Sequence, residues 1–242
     1  MALSEYQKMF EAETSYFWFV AKQKLVSRIV GGLSLPREAQ ILDLGCGTGI
    51  NLKNLRGYGD CVGADYSPEA FAYCLRRSCD QLVSSRAEVL PFKPGSFDLV
   101  TSLDTIEHTE DPAGMVGEVY AALKPAGYLL LTAPAYPGLF GAHDYALGHK
   151  TRYTRDQVLS LLSKSGFRIE VAGHYFGLVF PAAAALKLYQ RRFGSRTETV
   201  SYHLPFPLNS IFLALCEIEA ALFPHFQLPF GTTLVALCRK PA

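Results

Sequence analysis

Hydrophobic residues in this chain are gathered into short runs, separated by segments in which they recur at helical spacing. The runs are rich in Ile, Leu and Val and are bounded by turn residues, a pattern typical of buried parallel strands. Strand and helix patterns therefore alternate, which predicts an α/β fold: a doubly wound, Rossmann-like, seven-stranded sheet that is mostly parallel. The predicted strands lie at 39–44, 61–65, 81–83, 96–104, 123–134 (with its turn), 167–171 and 232–238.

The N-terminal segment has a different pattern. Residues 3–30 alternate apolar and charged positions at helical spacing and are rich in aromatic side chains. This spacing predicts one amphipathic helix that covers an edge of the sheet.

Another segment with its own pattern separates the sixth strand from the seventh. Two strongly apolar stretches, 175–189 and 204–226, flank the polar segment 190–201. Prolines and charges keep each stretch below the roughly 18 uncharged residues of a membrane-spanning helix. We interpret the segment as an inserted apolar cap. Burial of an apolar acceptor, a dimer contact and an in-plane membrane face are alternatives that the sequence leaves open.

Composition narrows the function classes. The 242 residues are 49% hydrophobic and 19% charged, with a net charge of +1, which suits a single α/β domain and gives no electrostatic reason to expect a nucleic-acid partner. Six cysteines show neither a CxxC pair nor zinc-like spacing. The N-terminus lacks the apolar core of a signal peptide, so we expect a cytoplasmic protein with reduced thiols.

A glycine-rich turn follows the first strand. Its glycines are Gly45, Gly47 and Gly49. A dinucleotide fingerprint would require glycine at position 50, where this chain has Ile50. Glycine lets a backbone turn tightly and lets a ligand lie against its N–H groups. We therefore predict a ligand cradle here, with Asp43 as an acceptor facing it and Cys46 as a small residue within it.

The second strand ends in a carboxylate that we expect to bind the same ligand. Asp65 lies 16 residues after Gly49, about one helix plus a return strand. Its two oxygens can accept hydrogen bonds from both hydroxyls of a ribose. The alternative is a helix N-cap, but Ser67 and Pro68 already supply a helix start. Tyr66 would then flank the base.

Together these motifs resemble those of the class I S-adenosylmethionine-dependent methyltransferases. The pattern D-x-G-x-G-x-G resembles their first motif, and A-E-x-L-P-F, F-D-L-V…D…E-H…D-P and L-K-P-A-G follow in the family's order. The loop H-D…G-H…R-Y-T at 143–154 is similar to that of a bacterial subgroup. The resemblance covers roughly residues 3 to 172. It implies S-adenosylmethionine as cofactor, S-adenosylhomocysteine as product and an antiparallel last strand.

The resemblance also implies roles for individual residues. The N-terminal helix becomes a lid in which Trp18 closes over the cofactor and Lys22 pairs with its carboxylate. Many relatives have Asp where this chain has Arg86, which cannot accept a hydrogen bond, so contact with adenine passes to Ala87 or Glu88. The expected cofactor-binding residues are Trp18, Lys22, Asp43, Gly45, Cys46, Gly47, Asp65, Tyr66, Ala87, Glu88, Leu103, Asp104 and His108.

Catalytic candidates follow the fourth and fifth strands. The family pattern aims Asp104 and His108 at the sulfonium methyl group. With a near-neutral pKa, His108 would take the acceptor's proton; alternatively it packs without titrating. In the loop after strand five, His143 and His149 are further candidate bases, unless the loop is held by a polar network. We predict no metal site here, because a fourth ligand and regular spacing are missing. The expected acceptor-binding residues are Tyr16, Tyr136, His143, Asp144, Arg152 and Tyr153.

We therefore expect direct methyl transfer to a small or lipid-linked acceptor, with O-methylation first and N- or C-methylation open. The rival functions are a nicotinamide-dependent oxidoreductase and a non-catalytic or membrane-associated cofactor-binding module. Peripheral membrane contact through the cap and a homodimer are further expectations. The expected organisation is a single domain, 1–242, with a lid at 1–32, a core at 33–172, a cap at 173–230 and a last strand at 231–242.

Overall fold

Seven strands form one mixed sheet in the computed structural model, which describes residues 3–182, 184–185, 192, 202 and 204–242. The strands are β1 (Gln40–Leu44), β2 (Asp60–Asp65), β3 (Leu82–Ser84), β4 (Phe97–Leu103), β5 (Leu123–Pro134), β6 (Arg168–Tyr175) and β7 (Thr233–Arg239). Their order is β3-β2-β1-β4-β5-β7-β6. Neighbours pair in parallel except β7, which is antiparallel to both β5 and β6. The predicted fold class is confirmed.

Helices cover both faces of this sheet. They are α1 (Leu3–Ala12), α2 (Phe17–Gly31), α3 (Ile50–Leu55), α4 (Pro68–Arg76), α5 (Pro112–Ala122), α6 (Ala142–Leu147), α7 (Arg155–Lys164) and α8 (Leu208–Leu222), with short 3₁₀ turns at Ile106–His108 and Pro137–Leu139. Capping follows the sequence: Asp111 accepts from the Gly114 N–H, and Thr154 forms a capping box with Gln157.

The expectation of one helix over 3–30 is wrong, because the chain breaks between α1 and α2. The break depends on a distant residue. The Asn209 side chain accepts a hydrogen bond from the Phe17 N–H (2.9 Å) and donates one to the Ser15 carbonyl (2.9 Å). These bonds satisfy the peptide groups that an interrupted helix leaves unpaired.

The cap and the N-terminal segment pack against each other. Helix α8 lies along α2, and Lys24 forms an ion pair with Glu217 across the two helices. Strand β6 extends to Tyr175, so the first residues of the expected 173–230 cap belong to the sheet. The polar segment 190–201 lies outside the described residues apart from Arg192. No helix in the described part of the chain is long and apolar enough to cross a membrane.

Two apolar clusters hold the layers together. One joins α2 and α8 to one face of the sheet, with Leu25, Ile41 and Phe223 almost fully buried. The other joins α5 and α7 to the opposite face, through residues such as Val100 and Leu162. Because β1 pairs in parallel with both β2 and β4, the carboxyl ends of these three strands meet at one edge of the sheet. Parallel α/β sheets bind their ligands at this edge.

Candidate active site

The glycine turn has the conformation that its sequence predicts. Gly45 has a φ of +75°, and a side chain there would place its Cβ 2.2 Å from the Thr105 hydroxyl oxygen. Gly47 has a φ of +52°, and a Cβ there would meet nothing closer than the Gly45 carbonyl oxygen at 4.0 Å. The first glycine is therefore required for packing under the turn, whereas the second leaves space above it. This space fits a ligand that lies against the backbone.

Asp65 closes this turn at the end of β2. One carboxylate oxygen accepts from the Gly47 N–H at 3.0 Å and the other from the Ser67 N–H at 2.9 Å. Burial raises the pKa of Asp65 despite these bonds. Each oxygen keeps a second lone pair, so the expected ribose contact remains geometrically available. Tyr66 beside it is largely exposed, as a residue that flanks a ligand would be.

Asp43 and Cys46 lie under the turn. Asp43 is buried at the end of β1 and accepts from the Thr101 hydroxyl at 2.7 Å, while its Oδ2 has no hydrogen-bond partner in the described part of the chain. Burial raises the pKa of Asp43 to about 6. Cys46 is buried with its sulfur 3.9 Å from that of Cys74, which fits the prediction of a small packed residue.

The loop expected to contact adenine is held by its own side chains. Arg86 forms an ion pair with Glu88, whose other carboxylate oxygen accepts from the Glu110 N–H at 2.9 Å. Ala87 packs against the apolar cluster on the α5 side. Both oxygens of Glu88 already have one partner each, and contact with adenine from Glu88 or from backbone groups around Ala87 stays a prediction.

Lys22 does not lie free to meet a cofactor carboxylate. Its ammonium group is buried and forms an ion pair with Asp104, at the carboxyl end of β4. Asp104 also accepts from the Thr132 hydroxyl at 2.8 Å and has a φ of +53°. Burial raises the pKa of Asp104, but the charge and hydrogen bond of Lys22 outweigh it, and the net shift is downward. Leu103, just before Asp104, packs against the apolar cluster on the α2 side.

Glu13 is a site residue that the sequence reasoning missed. It lies in the break between α1 and α2, where its carboxylate accepts from the hydroxyl of Thr48 in the glycine turn at 2.6 Å and pairs with Arg77 at 2.8 Å. The N-terminal segment is thereby bonded directly to the turn. In the sequence, Glu13 is one carboxylate within a segment predicted to be an amphipathic helix. A carboxylate in such a helix normally faces solvent, so its position gave no indication of a site.

His108 and His149 lie beside Asp104 with their rings 4.9 Å apart and nearly perpendicular. His108 Nδ1 lies 3.2 Å from the Gly148 carbonyl oxygen. Burial and the neighbouring His149 lower the pKa of His108 to about 4, so the expectation of a near-neutral pKa is wrong. His108 is neutral at pH 7 and is a weak base on its own.

The loop after β5 is organised around Asp144. This buried carboxylate accepts from Arg152 Nη2 at 2.7 Å, pairs with His149 Nδ1 at 2.9 Å and caps α6 through the Gly141 N–H. Tyr153 is buried and donates its hydroxyl to the Ile106 carbonyl. The polar groups of Asp144, Arg152 and Tyr153 hold the loop, and direct contact of these residues with the acceptor stays a prediction. The polar-network alternative describes them better.

The other predicted acceptor residues remain at or near the surface of the site. Tyr136 stacks on His174, with ring centroids 5.5 Å apart, and His143 is half-buried at the start of α6. Tyr16 packs edge-on to Phe17, while the Trp18 ring stacks on Phe176 at 3.8 Å. Their roles toward an acceptor stay predictions.

Glu107 is a second residue that the sequence reasoning did not select. Its side chain is fully buried between His149 and Asp104, and neither carboxylate oxygen has a hydrogen-bond partner in the described part of the chain. Burial and the charge of Asp104 raise its pKa. The E-H pair of the family pattern was visible, but only its histidine was selected.

Comparison with known proteins gives three findings. Residues 42–131 match the family model described as a methyltransferase domain. A demethylmenaquinone methyltransferase of Lactiplantibacillus plantarum is 30% identical over 190 residues, which cover 63% of this chain and 79% of that protein. A ubiquinone biosynthesis O-methyltransferase of Thiobacillus denitrificans is 33% identical over 100 residues, 38% of this chain and 43% of that protein.

Solved structures agree on the fold. Phosphoethanolamine N-methyltransferase 2 of Haemonchus contortus, in complex with S-adenosylmethionine, has a TM-score of 0.60 at 19% identity, with 91% of this chain and 53% of that one covered. This likeness shows the architecture alone. The chain spans less than half the length of the ubiquinone relative but most of the demethylmenaquinone relative.

Proposed function

We propose that this chain, which belongs to the class I S-adenosylmethionine-dependent methyltransferases, methylates a hydroxyl group on an apolar, quinone-like small molecule. The observation that carries the proposal is the meeting of the glycine turn, Asp65 and the Asp104–His108–His149 group at one edge of the sheet. Cofactor and acceptor would then lie side by side, which is the positioning that methyl transfer requires.

The residues present fit the family's cofactor. The space above Gly47 and the remaining lone pairs of Asp65 lie at the same turn, and the buried Asp43 oxygen without a partner in the described part of the chain lies beneath that turn. S-adenosylmethionine supplies the methyl group when bound. The chain's part is to hold the nucleoside on the turn and to keep the Lys22–Asp104 pair beside the acceptor.

The polar group at the end of β4 would promote loss of the acceptor's proton. His149 is oriented by Asp144, an arrangement that directs its Nε2 toward Glu107 and the site. His108 lies across from it. A hydroxyl group needs such help, because it is a poor nucleophile until its proton is removed. This is why we place O-methylation before N-methylation.

An apolar acceptor is supported by the surface of the cap. Large apolar side chains on and around α8 are exposed, including Phe206, Ile211, Ile218, Leu222 and Phe226. Exposed apolar surface of this kind marks contact with apolar ligands, partner proteins or membranes. The names of the relatives, which refer to ubiquinone and demethylmenaquinone, support a quinone-like acceptor with an apolar tail.

Calorimetric titration with S-adenosylhomocysteine tests the cofactor site. We expect binding by the wild type and its loss in Asp65→Ala. Asp60→Ala is the matched control, because Asp60 is an exposed carboxylate at the opposite end of the same strand. Equal affinity of the two variants would refute the assignment of the cradle.

Transfer of a labelled methyl group to hydroxylated quinone precursors, with and without an isoprenoid tail, then tests the acceptor. We expect label in an alkali-stable ether and faster transfer to the tailed compound. Label only on an amine or a ring carbon would refute O-methylation, even if the cofactor binds.

A further inference from the structure

Three side chains converge where the 3₁₀ turn after β4 meets the loop after β5. Glu107, His108 and His149 each offer one ligand atom, and these atoms all lie within 4.8 Å of one another. We infer that they bind a divalent transition-metal ion such as Zn²⁺. The set weighed from the sequence was His143, Asp144 and His149, so the two sets share His149 alone.

Both histidines are held in the tautomer that a metal ligand needs. His149 Nδ1 lies 2.9 Å from an oxygen of Asp144, and His108 Nδ1 lies 3.2 Å from the Gly148 carbonyl oxygen. Carboxylate and carbonyl oxygens only accept, so each Nδ1 donates, and in the neutral ring each Nε2 keeps its lone pair. Metal-binding histidines are oriented by such partners on the other ring nitrogen.

Glu107 provides an independent indication of a missing cation. It is fully buried, both of its oxygens lack hydrogen-bond partners in the described part of the chain, and its Oε1 lies 3.8 Å from His149 Nε2. A carboxylate buried without partners is costly, and such groups in proteins are paired or bind metal ions. A bound cation would satisfy it directly.

The pairing of the surrounding charges is consistent with a bound cation at Glu107. The carboxylates near this point are Asp104, Glu107 and Asp144, whereas the cations are Lys22 and Arg152. Lys22 is engaged by Asp104 and Arg152 by Asp144, so among these three carboxyl groups Glu107 is the one without a lysine or arginine partner in the described part of the chain.

The ligand set points to a first-row transition ion. Two imidazoles and one carboxylate suit Zn²⁺, Fe²⁺ or Mn²⁺, and three protein ligands with an open position are typical of catalytic sites. Ligand atoms about 2.1 Å from a tetrahedral ion lie about 3.4 Å apart, close to the 3.8 Å already present between Glu107 and His149. His108 is half-exposed, so a small molecule can reach the remaining position.

In that position the ion would bind the acceptor's hydroxyl oxygen and lower its pKa. The histidines would then assist proton loss through the metal rather than by taking the proton themselves. This role rests on the proposed function, whereas metal binding itself does not.

Metal titration of the chelator-treated full chain tests the inference. Binding of Zn²⁺ is measured by calorimetry, and the absorption of a Co²⁺ derivative reports the coordination. We expect one equivalent per chain and visible absorption of a tetrahedral or five-coordinate Co²⁺ site. Glu107→Gln and His108→Ala should each weaken binding at least tenfold, and Asp144→Asn, which acts through His149, ten- to a hundredfold. His225→Ala, at an exposed histidine beyond α8, should bind as the wild type does.

Absence of binding by a folded wild type, or wild-type affinity in both Glu107→Gln and His108→Ala, would overturn the inference. Circular dichroism checks that the variants fold. If Glu107→Gln fails to fold, the His108→Ala variant still tests the inference, because His108 is only half-buried. S-adenosylhomocysteine binding is measured on the same samples. Loss of metal with retained nucleoside binding locates the effect at the metal site. Failure of the wild type to bind S-adenosylhomocysteine would count against the proposed function and not against the metal site.

Discussion

The link between Glu13 and the glycine turn predicts an unusual dependence of stability on pH. Burial raises the pKa of Glu13 from 4.5 to about 7, although the Thr48 hydroxyl and Arg77 both favour the charged form. A carboxyl group with a raised pKa holds its proton more tightly in the folded than in the unfolded chain. Its contribution to the free energy of unfolding is therefore greatest below pH 4.5 and is lost as the pH rises through 4.5 to 7.

The size of the effect follows from the shift. At about 1.4 kcal/mol per pKa unit, a rise from 4.5 to about 7 corresponds to about 3 kcal/mol lost across this window. Glu13→Gln removes the titration while its amide oxygen can still accept from Thr48. Relative to the variant, the wild type should lose about 3 kcal/mol between pH 4.5 and pH 7.5.

Urea unfolding at half-unit pH intervals measures this difference. Comparing wild type with Glu13→Gln cancels the contribution of other groups, such as buried Asp43, which titrate in both proteins. Glu11→Gln serves as the control, because Glu11 is exposed on α1 and its substitution should leave the pH profile unchanged. A difference between wild type and Glu13→Gln that stays constant within 1 kcal/mol would refute the reasoning.

Two further predictions concern the backbone. Ala126 has a φ of +63°, which costs an L-residue roughly 1–2 kcal/mol, so Ala126→Gly should raise the Tm by about 2–8 °C in a thermal melt. Ala72→Gly within α4 should lower the Tm, and a lower Tm for Ala126→Gly would contradict the reasoning. Gly45→Ala places a Cβ 2.2 Å from Thr105, whereas Gly95→Ala has the same sign of φ but open space around it. In urea unfolding we expect Gly95→Ala to lower the free energy of unfolding by about 1 kcal/mol and Gly45→Ala to lower it by at least twice that amount. Equal losses would contradict the reasoning, because they would show that the contact with Thr105 relaxes freely.

Local signals in the sequence were sufficient for the sheet and the turn. Strand β1 and the glycines after it are specified by neighbouring residues, so their positions and conformations could be predicted. The positive φ of Ala126 could not be predicted, since the sign of φ cannot be read from one residue type. The break between α1 and α2 could not be predicted, because it depends on Asn209, nearly 200 positions along the chain.

The candidate site was predictable in its residue types more than in its pairings. Lys22 was expected to face a cofactor and instead pairs with Asp104, a contact between segments 82 positions apart. Asp144 and Arg152 were predicted to bind the acceptor because long loops at strand ends are where α/β enzymes select their substrates. Their mutual pairing buries both, which only the folded loop reveals.

The position of β7 has a consequence for how the chain is made. Among the described strands, β6 pairs with β7, and β7 also covers the edge of β5. While the chain is being synthesised, β5 is complete about 105 positions before β7, an interval of roughly 5–20 s at ordinary rates of translation. During this interval β5 presents an edge that β7 has not yet covered, and β6 is made before its partner strand β7. Nascent chains on one messenger are therefore at risk of pairing with each other until residues 233–239 have left the ribosome.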